Sequence, residues 1–172
     1  MEKSDKQSFK EPANKEPIKL NLGCGHRKLE GYVNIDFRSE VNPDQVIDVT
    51  KGLPFDDNSV EEVRAHDFLE HVPIGKTIFV VEEIFRVLKP GGKLEHFTPS
   101  TDGRGAFQDP THQSFWNINS WLYFMNDEYR QLYGIKAKFE GSNVDVMTDR
   151  ASRVIHVHGV LSSVKGKKAK VE

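Results

Sequence analysis

One cysteine among 172 residues rules out an internal disulfide framework, so noncovalent packing must hold the fold, and such usage suits a reducing compartment. Long apolar runs are missing as well. Nothing approaches the roughly 18 residues that span a bilayer, and the polar amino terminus lacks the apolar region of a secretory signal. The cytoplasm is therefore the expected location, with no membrane partner. Neither charge sign is in excess: 24 basic against 26 acidic residues give a formal net charge of −2 and a pI near 6.4. That balance removes the whole-domain attraction a nucleic-acid partner would need. Internal repeats and low-complexity core segments are lacking too.

The length suits one domain with a single buried core. Residues 1–16 are almost wholly polar, with Phe9 as the one aromatic, and are expected to form a disordered tail. Residues 165–172, rich in lysine, read as a second, basic tail. The domain is thus expected over residues 17–164.

The most informative stretch runs from Leu20 to Asp36. A short apolar run, Ile18 to Leu22, breaks into Gly23-Cys24-Gly25, and a second alternation through Tyr32, Val33 and Ile35 ends on Asp36. A buried strand that delivers a bare glycine turn, followed by a strand that ends in a carboxylate, is the pattern of a nucleoside site: backbone lies against the cofactor and the acid takes the ribose hydroxyls. Two departures from the dinucleotide fingerprint narrow the reading. There is no third glycine at the expected offset, and Asp36 follows Gly23 by 13 residues rather than roughly 20. A cofactor without a pyrophosphate fits such a loop better than a nicotinamide dinucleotide does.

Further along, Asp48-Val49-Thr50 precedes Leu53-Pro54-Phe55-Asp56-Asp57-Asn58-Ser59, then Ala65-His66-Asp67-Phe68-Leu69-Glu70-His71-Val72, then Glu83 to Leu94 with Lys89-Pro90-Gly91-Gly92. With Leu20-Asn21-Leu22-Gly23-Cys24-Gly25 and Gly31-Tyr32-Val33-Asn34-Ile35-Asp36, these segments resemble, in order and spacing over about residues 18–97, the class I S-adenosylmethionine-dependent methyltransferases, in particular small single-domain members of methyltransferase type 11. The resemblance implies an enzyme that binds S-adenosylmethionine and releases S-adenosylhomocysteine. Its acceptor would be the oxygen or nitrogen of a small molecule, such as a sugar or another biosynthetic metabolite.

Periodicity places strands at Ile18–Leu22, Tyr32–Asp36, Val46–Val49, Val60–Ala65 and Lys93–Phe97, with a helix over Ile74–Leu88 that stops at Pro90-Gly91-Gly92. An aromatic-rich helix is expected over Asn117–Tyr133 and a strand pair over Lys136–Met147 and Arg153–Val164. Strands alternating with crossovers predict an α/β fold with a doubly wound, mostly parallel Rossmann-like sheet, and the ligand at the carboxyl ends of its strands. The resemblance makes the last strand pair an antiparallel C-terminal edge. The residues from Thr98 to Asn117, long and aromatic, read as a substrate lid.

Because the cofactor carries its own leaving group, the protein mainly has to position the acceptor and take its proton. Leu22, Gly23, Cys24 and Gly25 would border the cofactor and Asp36 would bind its ribose. By resemblance, Asp48 and Val49 would meet the adenine, though Asp48 before Thr50-Lys51-Gly52 also has the form of a turn cap. Ala65 and His66 would lie beside the methionine moiety, with His66 either a base or a packing residue. His112, after Asp109-Pro110-Thr111, is the candidate lid base, while His71 is expected to order its turn by hydrogen bonding. Phe107, Phe115, Trp116, Trp121, Tyr123 and Phe124 could line an acceptor pocket or fill the core. Seven histidines raise the question of a metal. His156 and His158 share a strand face, but nothing in the sequence assembles a third ligand from His96 or His112, and no metal is expected. The competing readings are a non-catalytic S-adenosylmethionine-binding module and a nicotinamide-dependent oxidoreductase.

Overall fold

The computed structural model describes residues 17–166; the tail expected over residues 1–16, and residues 167–172 of the second, lie outside the described residues. Alternation along the strands decides the architecture. In β1 (Ile18–Leu22), Leu20 and Leu22 pair with Val33 and Ile35 of β2 (Val33–Asp36) on one side and with Val63 and Ala65 of β4 (Val60–His66) on the other. β5 (Leu88–Pro99) sets Leu94 beside Val63 and His96 beside Ala65. With β3 (Gln45–Val46), β6 (Phe139–Asp149) and β7 (Val154–Ser163), the seven strands run in the order β3-β2-β1-β4-β5-β7-β6. Pairings from β3 to β5 are parallel and those of β7 with β5 and β6 antiparallel. This is the predicted mostly parallel sheet with its antiparallel C-terminal edge.

Leu20, Leu22, Ile35, Val63, Ala65, Leu94, Val157 and Leu161 share one face of that sheet. They form the buried core together with Val80, Val81 and Ile84 of α1 (Thr77–Val87), Trp121, and Phe124 of α3 (Leu122–Met125). Burial of each of the valine, leucine, isoleucine and phenylalanine side chains stabilises the fold by roughly 1.5–3 kcal/mol. The opposite face is polar. There Lys19 pairs with Glu62 at 3.1 Å, the Tyr32 hydroxyl donates to Glu62, and His66 meets Glu95. Residues 23–32, which join β1 to β2, contain no helix, so that face keeps the half-solvated alternation of a sheet covered on one side.

Element boundaries shift where side chains bond locally. α1 begins at Thr77 rather than Ile74 because Lys76 N–H closes a turn on the Pro73 carbonyl and Gly75 sits at φ +85°. The expected third strand shortens because Asp48 caps the 3₁₀ turn Val49–Lys51. The helix expected over Asn117–Tyr133 breaks into the 3₁₀ turn Ile118–Trp121, α3 and α4 (Asp127–Tyr133). Asn126 leaves the helical region and accepts from the N–H groups of Glu128 and Tyr129, ending one helix and capping the next. The lysine at 165, placed in the tail by the sequence reading, donates to Asn58 Oδ1 and to the carbonyls of Arg86 and Leu88.

Among the core side chains is one imidazole. His96 is fully buried, stacks on Trp121 at 3.9 Å and bonds through Nε2 to Asn143 Oδ1 at 2.6 Å. Gly159 is required opposite it, since a Cβ there would lie 2.2 Å from Asn143 Oδ1 and 2.6 Å from His96 Nε2. Burial pulls the His96 pKa down to about 3, with His158 and His66 adding to the effect and Asn143 opposing it. The unfolded chain therefore binds a proton near pH 6.5 that the folded chain refuses, and this contribution, fully present above pH 6.5, is lost as pH falls toward 3. Measured by urea unfolding, wild type should lose about 2 kcal/mol relative to His96→Leu between pH 7 and pH 5. A stability difference that stays constant over that interval would show that the folded protein protonates His96 freely.

Candidate functional site

The glycine turn, Asp36 and His66 all fall at the carboxyl ends of parallel strands. Leu22 ends β1 fully buried. Gly23 turns at φ +63° beneath Phe68, so close that a Cβ would lie 2.6 Å from the ring. Cys24 is buried and its N–H donates to the Ile35 carbonyl at 3.0 Å. Gly25 N–H donates to Asp36 Oδ2 at 2.9 Å, which ties the turn to the end of β2.

Asp36 is 3% exposed. Burial works against its charge, but the side chain and N–H of Arg38 and the N–H of Gly25 outweigh it and hold the carboxyl below the usual range. The Arg38 guanidinium, at 3.1 and 3.3 Å, lies over the carboxylate. Sequence reasoning missed Arg38; its position two residues after a strand-end acid was the available signal.

Asp48 performs the capping role: Oδ1 accepts from Thr50 N–H at 3.1 Å and from its hydroxyl at 2.6 Å, and Lys51 pairs with Oδ2. Val49 is buried in the core, as is Ala65. His66 lies on the polar face with both ring nitrogens engaged. Arg64, which only donates, bonds to Nδ1 at 2.7 Å, so in the neutral ring Nε2 carries the proton and donates to Glu95 at 3.0 Å. In this arrangement His66 links β4 to β5, with both ring nitrogens engaged. Burial and the Arg64 charge also push its pKa down.

The next residue carries more. Asp67 holds φ +48°, uncommon for a non-glycine residue, donates its N–H to the Phe97 carbonyl, and pairs with His156 at 3.5 Å and with Arg27 of the glycine-turn loop at 3.5 Å. It thereby meets the glycine-turn loop and also lines a cavity of about 230 Å³ with Glu70, His71, Gln108, His112 and His156. A larger groove of about 950 Å³, bordered by Asp57, Phe79, Glu82 and Lys165, lies at the opposite end of the strands, away from these groups.

The cavity's two key histidines present defined tautomers. His112 Nδ1 meets the Ala106 carbonyl at 3.0 Å, so Nδ1 carries the proton of the neutral ring and Nε2 keeps its lone pair; Asp109, 3.8 Å away, is beyond hydrogen-bond reach. Thr111 donates its hydroxyl hydrogen to Asp109 at 2.7 Å, so His71 Nδ1, 3.3 Å from Thr111 Oγ1, is the donor there and its Nε2 is likewise free. Glu70, 2% exposed, has a carboxylate oxygen with no hydrogen-bond partner, and burial together with Asp67 and Asp109 lifts its pKa to about 8. The sequence reading named neither Asp67 nor Glu70 as functional; the acid pair inside Asp67-Phe68-Leu69-Glu70-His71 was the signal.

Much of the segment read as a lid is fastened down. Gln113 and Ser114 N–H groups donate to the Glu70 carbonyl at 2.7 and 2.9 Å, and Ser114 Oγ donates to that of Leu69 at 2.7 Å. Of the aromatics, Trp116, Trp121 and Phe124 are core, whereas Phe107 and Phe115 stack on each other and are 63% and 50% exposed.

Residues 20–95 match the model of a methyltransferase domain family. No curated protein matches the sequence. Among solved structures, an S-adenosylmethionine-dependent methyltransferase of Methanosarcina mazei superposes with a TM-score of 0.60 at 18% identity, over 90% of this chain and 95% of that one. The [4+2]-cyclase SpnF gives 0.63 at 14% identity over 87% and 76%. The N-methyltransferase NodS of Bradyrhizobium japonicum, in complex with S-adenosylhomocysteine, gives 0.57 at 9% identity over 85% and 78%. With the parallel sheet, the glycine turn and the strand-end acid in place, residues 20–95 match the methyltransferase domain family and the chain shares the fold of S-adenosylmethionine-dependent methyltransferases.

Proposed function

We propose that the protein transfers the methyl group of S-adenosylmethionine to a small acceptor seated in the cavity between Asp67 and His112, with Gly23, Gly25 and Asp36 holding the cofactor. The observation that carries this reading is the placement of Asp67, which joins the glycine-turn loop through Arg27 and lines the cavity that contains the free ring nitrogens. The residues fit the cofactor: the bare Gly23 backbone allows close approach, and the Asp36 carboxylate accepts two ribose hydroxyls once Arg38, 46% exposed, swings into solvent. The cofactor supplies an electrophilic methyl on a sulfonium, whose thioether leaves with the C–S electron pair. The chain's part is to orient the acceptor and exclude water, and His112, through its Nε2 lone pair, acts on the acceptor's proton. A small-molecule acceptor agrees with the cavity's size and with the absence of net basic charge. No helix of the described residues is long and apolar enough to cross a membrane, which accords with a cytoplasmic site of action.

Titration with S-adenosylhomocysteine, with NADH as control, tests the reading. Micromolar binding of the former alone is expected, and Asp36→Ala should weaken it by about 1.5–3 kcal/mol, the scale of a hydrogen bond to a charged group. Unchanged affinity would remove Asp36 from the site, and binding of NADH instead would revive the oxidoreductase. The likeness to a [4+2]-cyclase supports a second reading, in which the fold serves a reaction other than methyl transfer. Methylated product from any acceptor would exclude it.

A further inference from the structure

Among the described residues, the floor of the cavity brings together one further set of ligand groups. The donor atoms of Glu70, His71 and His112 all lie within 4.8 Å of one another. Their chemistry is that of a 2-His-1-carboxylate set, which holds zinc or another divalent first-row cation and leaves coordination positions open.

Three observations distinguish the set from a chance cluster. The Glu70 oxygen that faces no partner belongs to a residue 2% exposed, so the fold has withdrawn a carboxylate from water without giving that atom a hydrogen bond. Each imidazole has its other nitrogen tied down, His112 Nδ1 to the Ala106 carbonyl and His71 Nδ1 to Thr111, which fixes the ring and leaves Nε2 as the nitrogen with a lone pair for a metal. The two backbone segments that carry the ligands are laced together by Gln113 and Ser114 on the Glu70 carbonyl and by the Gln113 amide on the His71 carbonyl at 3.2 Å, so the set is built before any ligand arrives.

We propose that Glu70, His71 and His112 bind one divalent transition-metal cation at the floor of the acceptor cavity. The action of His112 on the acceptor's proton is then exercised through the cation. A hydroxyl oxygen that ligates it is acidified, releases its proton to solvent, and retains further lone pairs for attack on the methyl carbon as the C–S pair leaves with sulfur. An amine bound through its one lone pair would lose its nucleophilicity, so the acceptor atom is oxygen. The acceptor class rests on the function proposed above; the cation site rests on the geometry alone.

The test loads the metal-stripped full chain with Co²⁺ and, separately, Zn²⁺. One equivalent per chain is expected, with visible d–d bands for cobalt, and Glu70→Gln and His112→Ala should each weaken binding at least about tenfold, whereas His158→Ala should not. Melting curves identify any variant that fails to fold, and Thr111→Val, which frees the His71 ring while leaving all three ligands, then serves as the second probe, with weaker binding expected. Absence of a stoichiometric cation, or equal loss in His158→Ala, overturns the proposal. Titration of the same samples with S-adenosylhomocysteine separates the two readings: cation binding without cofactor binding would retain the metal site and refute the methyltransferase assignment, and the reverse would refute the site alone.

Discussion

Gly23→Ala should cost about 2–4 kcal/mol of stability and at least about tenfold in S-adenosylhomocysteine affinity. Two effects add. The residue holds φ +63°, where an L side chain is disfavoured by about 1–2 kcal/mol, and its new methyl would lie 2.6 Å from Phe68 Cδ2 and 3.1 Å from Phe68 Cβ, an overpacking worth about 1–3 kcal/mol. Relief requires either the turn or Phe68 to move. Because Gly25 N–H is bonded to Asp36, displacement of the turn also drags the Asp36 carboxylate. Gly31→Ala is the control: it has the same left-handed backbone, φ +78°, but open space around its Cβ position, so it should pay only the conformational cost and leave affinity intact. Adding Phe68→Ala to Gly23→Ala should recover part of the loss, a coupling read from the double-mutant cycle of unfolding free energies. Equal penalties for the two alanines, with no coupling to Phe68, would mean that the turn does not depend on this contact.

Arg86→Met should destabilise the domain by about 2–4 kcal/mol while leaving the cofactor half of the site untouched. The guanidinium donates to the carbonyls of Leu53 and Phe55, to both oxygens of Glu83 and to Asp57, all between 2.7 and 2.9 Å. It fastens residues 53–57 to α1. Methionine keeps the stem's packing but removes the bonds to the Leu53 carbonyl and the Glu83 carboxylate, and each partly buried acceptor that loses its donor costs about 1–3 kcal/mol. Glu83 retains one bond, from Leu53 N–H at 2.8 Å, which is why the sum stays below the full penalty. Chemical denaturation with S-adenosylhomocysteine titration of the folded variant checks both halves. As a comparison, Lys51→Met removes an ion pair whose lysine side chain is 81% exposed and should change little, as surface pairs do. A loss no larger for Arg86→Met than for Lys51→Met would show that the 53–57 segment is held by packing alone.

The parts of this fold that were legible in the sequence are those that depend on short-range periodicity. Ile18–Leu22 and α1 read correctly because burial on one face imposes a repeat of two or of three to four residues, whatever the partner. Gly23, Gly25 and Asp36 were legible because a positive φ and a strand-end acid are local demands. The hydrogen bonding of His66 was not legible for the opposite reason: it is set by Arg64 two residues away but also by Glu95 on a strand 29 residues later, and no local pattern shows how its two nitrogens are engaged. The break at Asn126 was visible in principle, since Asn-Asp-Glu has the form of a cap, but the aromatic periodicity around it favoured one long helix.

By itself the sequence determined the mostly parallel α/β sheet, the glycine turn and the strand-end carboxylate at Asp36, because each rests on residue type and spacing along one segment. Only the tertiary structure brought together the groups around the cavity of Asp67, Glu70, His71 and His112. Glu70 and His71 are adjacent, but His112 lies some forty residues further along the chain; backbone bonds of Gln113 and Ser114 to Glu70 join the two segments, and the usable lone pairs of the histidines depend on Ala106 and Thr111. Burial, tautomer and convergence are properties of a packed neighbourhood, and the fold alone brings that neighbourhood into being.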